Sequence, residues 1–570
     1  MRFISLFWLC QLAERCRGVL MAMSNLKGQY SSGRVVDVAV IGAGIGGLSS
    51  AAILNSNYGI QTEVFESHYH PGGCAHSFPM KSKQGATYNF DAGPTILLGC
   101  SGPPYNPLIQ VLDAVGAKSE VEWIKYDSWG MRDETGSWNF ELGPGCFEDG
   151  PLHKFGGKQG REEFLRLRAA CEPLCAAAAE IPTMALRGGK FELVPLLPHY
   201  QALQKVIPYA SELDGSFEAF MDKYVTRGSW LESWLDALAF SLSGLPARRT
   251  GAAAMAYTLF DLHREAAALD YPRGGVGKIA DTLVKVTEET GGKVHLRAPV
   301  RKIVVEKGKA LGILLESGEF VRCRRGVLCN APIWALDQLL EGGLPPQSQG
   351  SDSASGRNGA KDTPMTKSFL HLHLGLDTTG LDIDAMQPHY TVMSQGLHNG
   401  GLADPCADRN MVCVSNPSVI DSSLVDRDER IVVHAYSAGN EDFEQWAAFE
   451  GSAVRGREQY KTKKHQDCAF LYTSVSRALG IDVEEVKERA EIDLQGTPLT
   501  HQHFNRRHRG TYGATWDSML REPDTGIQGL FLAGDSVFPG IGIPAVAVSG
   551  AKAANSMVSV GRQLWTGLIM

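Results

Sequence analysis

Apolar residues Val36, Val38, Val40 and Ile41 make the short run of a buried strand, and after a glycine-rich break Leu48, Ala51 and Ala52 open a helix. Strand, turn and helix are predicted in that order. Thr62 to Phe65 predicts a second strand, which ends on Glu66. Much later Gly274, Gly275 and Gly277 open a helix running to about Glu289, closed by Gly291 and Gly292. Strands over Val294 to Leu296 and Val300 to Val305 follow, then LGILLESGEFVRCRRGVLCNAP, a hairpin turning at Ser317 and Gly318. Near the other end Leu530 to Ala533 predicts a strand, and a helix begins around Pro544, where a missing amide costs nothing.

Between these pieces the pattern changes. Helical periodicity runs through REEFLRLRAACEPL and again through Phe217, Phe220, Met221 and Tyr224. The stretch FELVPLLPHYQALQKVIPY is apolar, aromatic and broken by prolines, which fits a lid, a groove lining or a patch that dips into a membrane interface. In FLHLHLGL, Leu370, Leu372, Leu374 and Leu376 share one face of a strand and His371 and His373 the other, read as solvent-facing. A metal there needs a third ligand that the sequence does not identify, and no metal site is assigned. Gly342 to Asp362 includes SQGSDSASGRNGAKD, a low-complexity loop expected to be disordered.

At 570 residues the chain is too long for one core, and 44% hydrophobic content is that of a globular protein. A net charge of -8 leaves no basic footprint, so nucleic acid is not an expected partner. The twelve cysteines show no zinc-type spacing and read as small buried hydrophobes in a reducing compartment. Residues 1–34 stand apart. Arg2, Arg15, Arg17, Lys27 and Arg34 outweigh Glu14, and Phe3 to Cys10 is too short to span a bilayer, the composition of a targeting segment.

Gly42, Gly44 and Gly47 have the G-x-G-x-x-G spacing that lets a dinucleotide pyrophosphate approach the backbone at a helix N-terminus. Glu66 lies close to the roughly 20-residue offset of the carboxylate that binds ribose hydroxyls. Pro71, Gly72 and Gly73 form a turn that lets backbone come close to something, and Asp91, Gly93 and Pro94 a rigid corner. The amides of Gly542 and Ile543, with the helix dipole behind them, favour negative charge in front. Helix and strands that return to the first fold after a helical insertion indicate a split domain.

Five ordered motifs together resemble the flavin-dependent phytoene desaturases and carotenoid isomerases: the glycines at 42–47, PGGC at 71–74, FDAGPT at 90–95, YPRGGVG at 271–277 and AGDSVFPGIGIPAVAVSG at 533–550. GTPLTHQHFNRRHRGTYG at 496–513 resembles the isomerase branch, whereas PGIGIP is closer to the desaturases. The resemblance implies an α/β fold: a Rossmann-type FAD-binding domain split in sequence, with an α+β substrate-binding cap domain. The expected pieces are a targeting segment at 1–34, FAD-binding parts at 35–160, 263–342 and 516–570, cap parts at 161–262 and 364–515, and a disordered loop at 343–363. FAD is the implied cofactor. Gly42, Gly44 and Gly47 would hold its pyrophosphate and Glu66 its adenosine ribose. Gly72 and Gly73 would lie along it and the Val300 main chain would meet the adenine. Gly534 stands on the cofactor side with Asp535, which would reach the ribityl chain or pyrophosphate, and Gly542 and Ile543 would lie at the flavin pyrimidine edge.

Polyenes offer few handles for acid or base catalysis, so the flavin does the chemistry and the protein positions it. The expected reaction is redox-neutral cis-trans isomerisation of a poly-cis carotenoid by reduced FAD, with hydration of a carotenoid as a related variant. Desaturation by hydride abstraction is the alternative, a flavin amine oxidase another, and a cofactor-free escort of prenylated proteins the alternative of a different class. His501, His503, Arg506 and Tyr512 compete as proton donors or as a tether between cap and flavin domain, and no catalytic residue is assigned. A polyene lipid substrate, peripheral association with a membrane through Phe191 to Tyr209, and a plastid location complete the expectation; the electron donor is not identified.

Overall fold

Strand β1 (Val35–Ile41) leads through the glycine turn into helix α1 (Ile45–Ser56), and β2 (Thr62–Phe65) returns parallel to β1. The computed structural model describes residues 33–569 apart from 94, 134–135, 190, 214, 345–359, 361–362, 398–403, 452–453, 455 and 516–520. The expected targeting segment and low-complexity loop, and Pro94 of the predicted corner, therefore fall wholly or almost wholly outside the described residues.

A hairpin of β3 (Ser77–Lys81) and β4 (Thr87–Asp91) follows, then a second hairpin of β5 (Ser128–Asp133) and β6 (Gly136–Glu141). The helical insertion contains α2 (Pro151–Ala179), broken at Gly157, then α3 (Trp230–Ser243) and α4 (Ala252–His263). Ser229 caps α3 by accepting from the Glu232 amide, and Gly244 ends it in the left-handed conformation. The chain returns with α5 (Gly277–Glu289), β7 (Lys293–His295), β8 (Val300–Glu306), β9 (Lys309–Leu315) and β10 (Phe320–Cys329). Next come β11 (His371–Asp377), β12 (His389–Met393), β13 (Met411–Ser415), β14 (Arg430–Ser437), α6 (Ala469–Leu479) and β15 (Ala490–Gly496). The last elements are α7 (Pro498–Asn505), β16 (Leu530–Leu532), α8 (Ile543–Ser556) and α9 (Val560–Ile569).

The strands sort into two large sheets. The first has the order β7-β2-β1-β10-β9-β8, with β16 also paired to β10, so three distant parts of the chain share one sheet. Its β7, β2, β1, β10 and β16 run parallel, and the glycine turn lies at the carboxyl end of β1, where α/β sheets bind ligands. The second has the order β15-β11-β14-β13-β12-β5-β6. Strands β5 and β6, inside the stretch 35–160 read as the first FAD-binding part, pair with this second sheet instead.

One expectation is overturned. The alternation in β11 is as predicted, with Leu370, Leu372, Leu374 and Leu376 packed in one apolar cluster with Leu471 and Val475 of α6. The opposite face, however, is not solvent-facing: His371 and His373 are 9% and 3% exposed. Hairpin β3–β4 covers that face, with Phe78 and Phe90 5.4 and 5.5 Å edge-on from the His373 ring. The third imidazole that the sequence could not identify is His434, directly across from His373 on β14.

Candidate active site at the junction of the two sheets

Close backbone approach builds the floor of the site. Gly42 has φ 91° and donates to the Phe65 carbonyl at 2.9 Å, which turns the chain at the end of β1. A Cβ at Gly47 would lie 2.3 Å from the Gly42 oxygen, so this glycine sets α1 tightly against the turn. Asn330, just beyond β10, fills the space beneath: a Cβ at Gly44 or Gly46 would fall 2.7 Å from its side-chain amide. The sequence reading missed Asn330, whose only signal is its place after the strand paired with β1. From the far end of the chain α8 crosses α1 closely, and a Cβ at Gly550 would meet the Gly46 oxygen at 2.3 Å. Ser50 Oγ seals the crossing by donating to the Gly46 and Gly550 carbonyls. Gly72 donates to the Ala43 carbonyl at 2.7 Å, which lays the PGG turn alongside.

A cavity of about 1020 Å³ opens above this floor. Gly42, Gly44, Glu66, Gly72, Gly73, Val300, Gly534, Asp535, Gly542 and Ile543 all line it; Gly47 lies beneath as packing. Glu66 is buried, its Oε2 accepting from the Ala43 amide at 2.7 Å and its Oε1 from the His68 amide at 2.7 Å and the Ser67 hydroxyl at 3.2 Å. A carboxylate has about four acceptor positions, so Oε2 keeps one for a hydroxyl. Gly542 precedes α8 with φ 110° and open space where a side chain would stand, so the positive end of that helix faces the cavity. A glycine cradle, a buried carboxylate with a spare acceptor position and a helix start facing open space fit an adenine dinucleotide carrying a flavin.

Of the polar run at 501–512, His501, Arg506 and Tyr512 line the cavity and His503 is not among its lining residues. His501 is buried on α7, its Nδ1 3.2 Å from the Asn505 amide nitrogen and its Nε2 3.9 Å from Cys74 Sγ. With that amide donating to Nδ1, the ring proton sits on Nε2 and points at the thiol. Burial, and then Arg507, push its pKa down to about 3, so the ring stays neutral. Burial also holds the Tyr512 hydroxyl protonated. Arg507, which the sequence reading passed over for Arg506, is buried, forms a partly buried ion pair with Asp535 and donates from Nε to the Thr511 carbonyl at 3.1 Å. It ties the turn after α7 to the loop between β16 and α8.

The cavity walls differ in kind. Among the described residues, every Asp, Glu, Lys or Arg on them (Glu66, Glu316, Arg506, Arg507 and Asp535) lies on the cradle side or on the turn after α7. Leu238 and Leu242 of α3, Met255 and Leu262 of α4, and Trp129 and Tyr436 of the second sheet build the other wall, and none of the lining residues from these elements is charged.

Residues 45–360 match the profile of flavin containing amine oxidoreductases, more than half of the chain. The chain belongs to that family. Like its relatives in this family it is an FAD-dependent enzyme with an α/β fold. A prolycopene isomerase, chloroplastic, of Arabidopsis thaliana is 28% identical over 544 residues, covering 92% of this chain and 82% of the relative. An all-trans-retinol 13,14-reductase of Danio rerio is 25% identical over 526 residues, covering 86% and 80%. Among solved structures, an oxidoreductase from Methanosarcina mazei superposes with a TM-score of 0.59 at 17% identity, covering 90% of this chain and 99% of that one. A putrescine oxidase double mutant gives 0.55 at 16% identity, covering 92% and 99%. These two likenesses show the fold.

Proposed function

We propose that this flavoenzyme isomerises cis double bonds of a carotenoid or closely related polyene, with no net change in oxidation state. The uncharged wall formed by α3, α4 and the second sheet carries the reading. A hydrocarbon chain offers nothing for a charge to hold, and such a wall binds it by burial alone, at about 25 cal/mol per Å² of apolar surface. A protonated amine on the same wall would meet no carboxylate. The relatives named as prolycopene isomerases and retinol reductases support a polyene lipid as the substrate class.

In this proposal Gly42, Gly44, Gly72 and Gly73 cradle the pyrophosphate, with Gly47 holding α1 against their turn. Glu66 binds the ribose and the Val300 main chain meets the adenine. Gly534 and Asp535 face the ribityl chain or pyrophosphate, and Gly542 and Ile543 the pyrimidine edge. FAD bound there in its reduced form would supply the electron density needed to lower the order of a double bond and let it rotate. Gly542 and Ile543, at the positive end of α8, favour negative charge in front of them by about 1 kcal/mol. Arg507 holds Asp535 in place, and His501 and Tyr512 keep their protons at the wall. Uncharged side chains keep water from the rotating bond.

Anaerobic incubation of the flavin-reduced enzyme with poly-cis carotenes tests the proposal, with products separated by chromatography and weighed by mass spectrometry. The expected product has the mass of the substrate and fewer cis bonds. Undiminished turnover with the flavin held oxidised would defeat the proposal, and loss of two hydrogens would indicate desaturation. The retinol reductase relatives favour one second reading, saturation of a double bond, marked by a gain of two hydrogens. A gain of water would mark hydration.

Such substrates dissolve in membranes, and among the described residues no helix is long and apolar enough to cross one. Phe191, Leu193, Leu197 and Ile207 nevertheless stand at least 60% exposed on one apolar stretch, and α9, which carries the exposed Trp565, lies against its 194–199 turn. In this proposal the patch docks peripherally on a membrane, that of a plastid by analogy with the chloroplastic relatives. Leu193→Asp combined with Leu197→Asp should lower liposome flotation severalfold; unchanged flotation would remove this surface from the proposal.

A further inference from the structure

The buried face of the second sheet carries a donor set that the flavin site does not use. Among the described residues, His371, His373 and His434 are the group of three potential ligands whose donor atoms all lie within 4.8 Å of one another. The register explains the grouping: His373 and His434 are direct cross-strand partners, and His371 lies two residues along β11 on the same face. All three are buried, at 9%, 3% and 4% exposure. His373 Nε2 lies 3.0 Å from the Asp91 carbonyl oxygen. A carbonyl only accepts, so that nitrogen carries the proton and the ring's lone pair is on Nδ1. This is the outer hydrogen bond that commonly fixes the tautomer of a metal-binding histidine.

The other two rings are the anomaly. Among the described residues, neither nitrogen of His371 nor of His434 has a hydrogen-bond partner. Each buried polar group left so is destabilising, a deficit that folded proteins rarely retain. The position across from His371 is also shaped to its ring. Gly496 of β15 faces it, and any Cβ there would fall 1.8 Å from His371 Nε2. A second cavity, of about 10 Å³, touches His434 together with Asp91, Thr95, Tyr271, His389 and Ser415, and has roughly the volume one water needs.

We propose that His371, His373 and His434 bind one divalent transition-metal ion that clamps β11 to β14. Three imidazoles with a water in the fourth position suit zinc or ferrous iron. The His373 and His434 rings are stacked 4.0 Å apart at 5°, so binding one ion through both requires one ring to turn out of the stack. The ion would stand apart from the large cavity. The Phe369 ring is 5.8 Å from His371 and the Tyr436 ring 5.6 Å from His434, and both residues line the large cavity, so they stand between ion and substrate. The inference holds whatever the substrate is.

The test uses the full chain, FAD-loaded and purified without a polyhistidine tag or chelators. Elemental analysis should find about one zinc or iron per chain, and less than about a tenth of that in His371→Phe and His434→Phe. His389→Phe, a buried histidine outside the cluster, should retain the metal. Gly496→Ala, which removes no ligand but displaces the His371 ring, should lower the content at least severalfold. Equal metal in wild type and both phenylalanine variants, or less than about a tenth of an equivalent in wild type, would overturn the proposal. Should the phenylalanine variants fail to fold, wild-type chain produced with cobalt(II) decides it. Intense four-coordinate d–d bands beyond the flavin absorption support the site, and their absence sinks it.

Discussion

The cradle and the cap wall face each other across one cavity, yet opposite kinds of residue make them. In the cradle the decisive positions have no side chain: Gly44, Gly46, Gly47 and Gly550 let the turn, Asn330 and two helices come closer than any Cβ allows. In the cap wall the decisive positions are side chains, Leu238, Leu242, Met255 and Leu262, whose bulk and lack of charge define what fits. A backbone site tolerates almost no substitution but announces itself by spacing. A side-chain wall can be repacked in many ways, provided volume is kept, and so leaves no fixed motif.

The largest expected effect is at the seam between the two. Arg507→Met would leave Asp535 without its ion-pair partner in a partly buried position, a loss of about 1.5–3 kcal/mol that should appear as a fall in unfolding temperature. The double variant with Asp535→Asn should recover most of it. No recovery would mean that Arg507 acts through the Thr511 carbonyl rather than through the pair. Second, Glu66→Ala should weaken FAD binding to the apoprotein by about 1.5–3 kcal/mol, read by flavin fluorescence titration, while the cap stays folded. Unchanged affinity would separate the cradle from the cofactor and collapse the contrast.

The smallest effect lies on the cap side. His501 is neutral in the folded protein, its pKa near 3 against an ordinary 6.5. Between those values the unfolded chain takes up a proton that the folded chain refuses. The stability that follows is fully present above 6.5 and is lost toward acid by up to about 1.4 kcal/mol per pH unit. Unfolding midpoints between pH 7 and 5 should therefore fall less steeply for His501→Gln than for wild type. Parallel curves would show that the ring is already protonated when folded.

Much of the cradle was legible in the chain. The turn after β1, Glu66 at the end of β2, the hairpin at Ser317 and Gly318, and the helix at Pro544 are each set by neighbours a few residues apart, through glycine dihedrals, apolar period and helix-start chemistry. Asn330 was not legible, because its role is to fill space beneath glycines almost 300 positions earlier. Arg507 was hidden among other basic residues, and only the approach of Asp535 distinguishes it from Arg506.

His371 and His373 mark the boundary between the two kinds of information. Their alternation with leucines determined, from sequence alone, that they share a face of β11, because successive side chains of a strand must point to opposite sides. Whether that face meets water depends on hairpin β3–β4, and whether it meets a third imidazole depends on the register of β14. Both come from distant parts of the chain, and only the closed tertiary structure decides them, since period is a local property and covering is not.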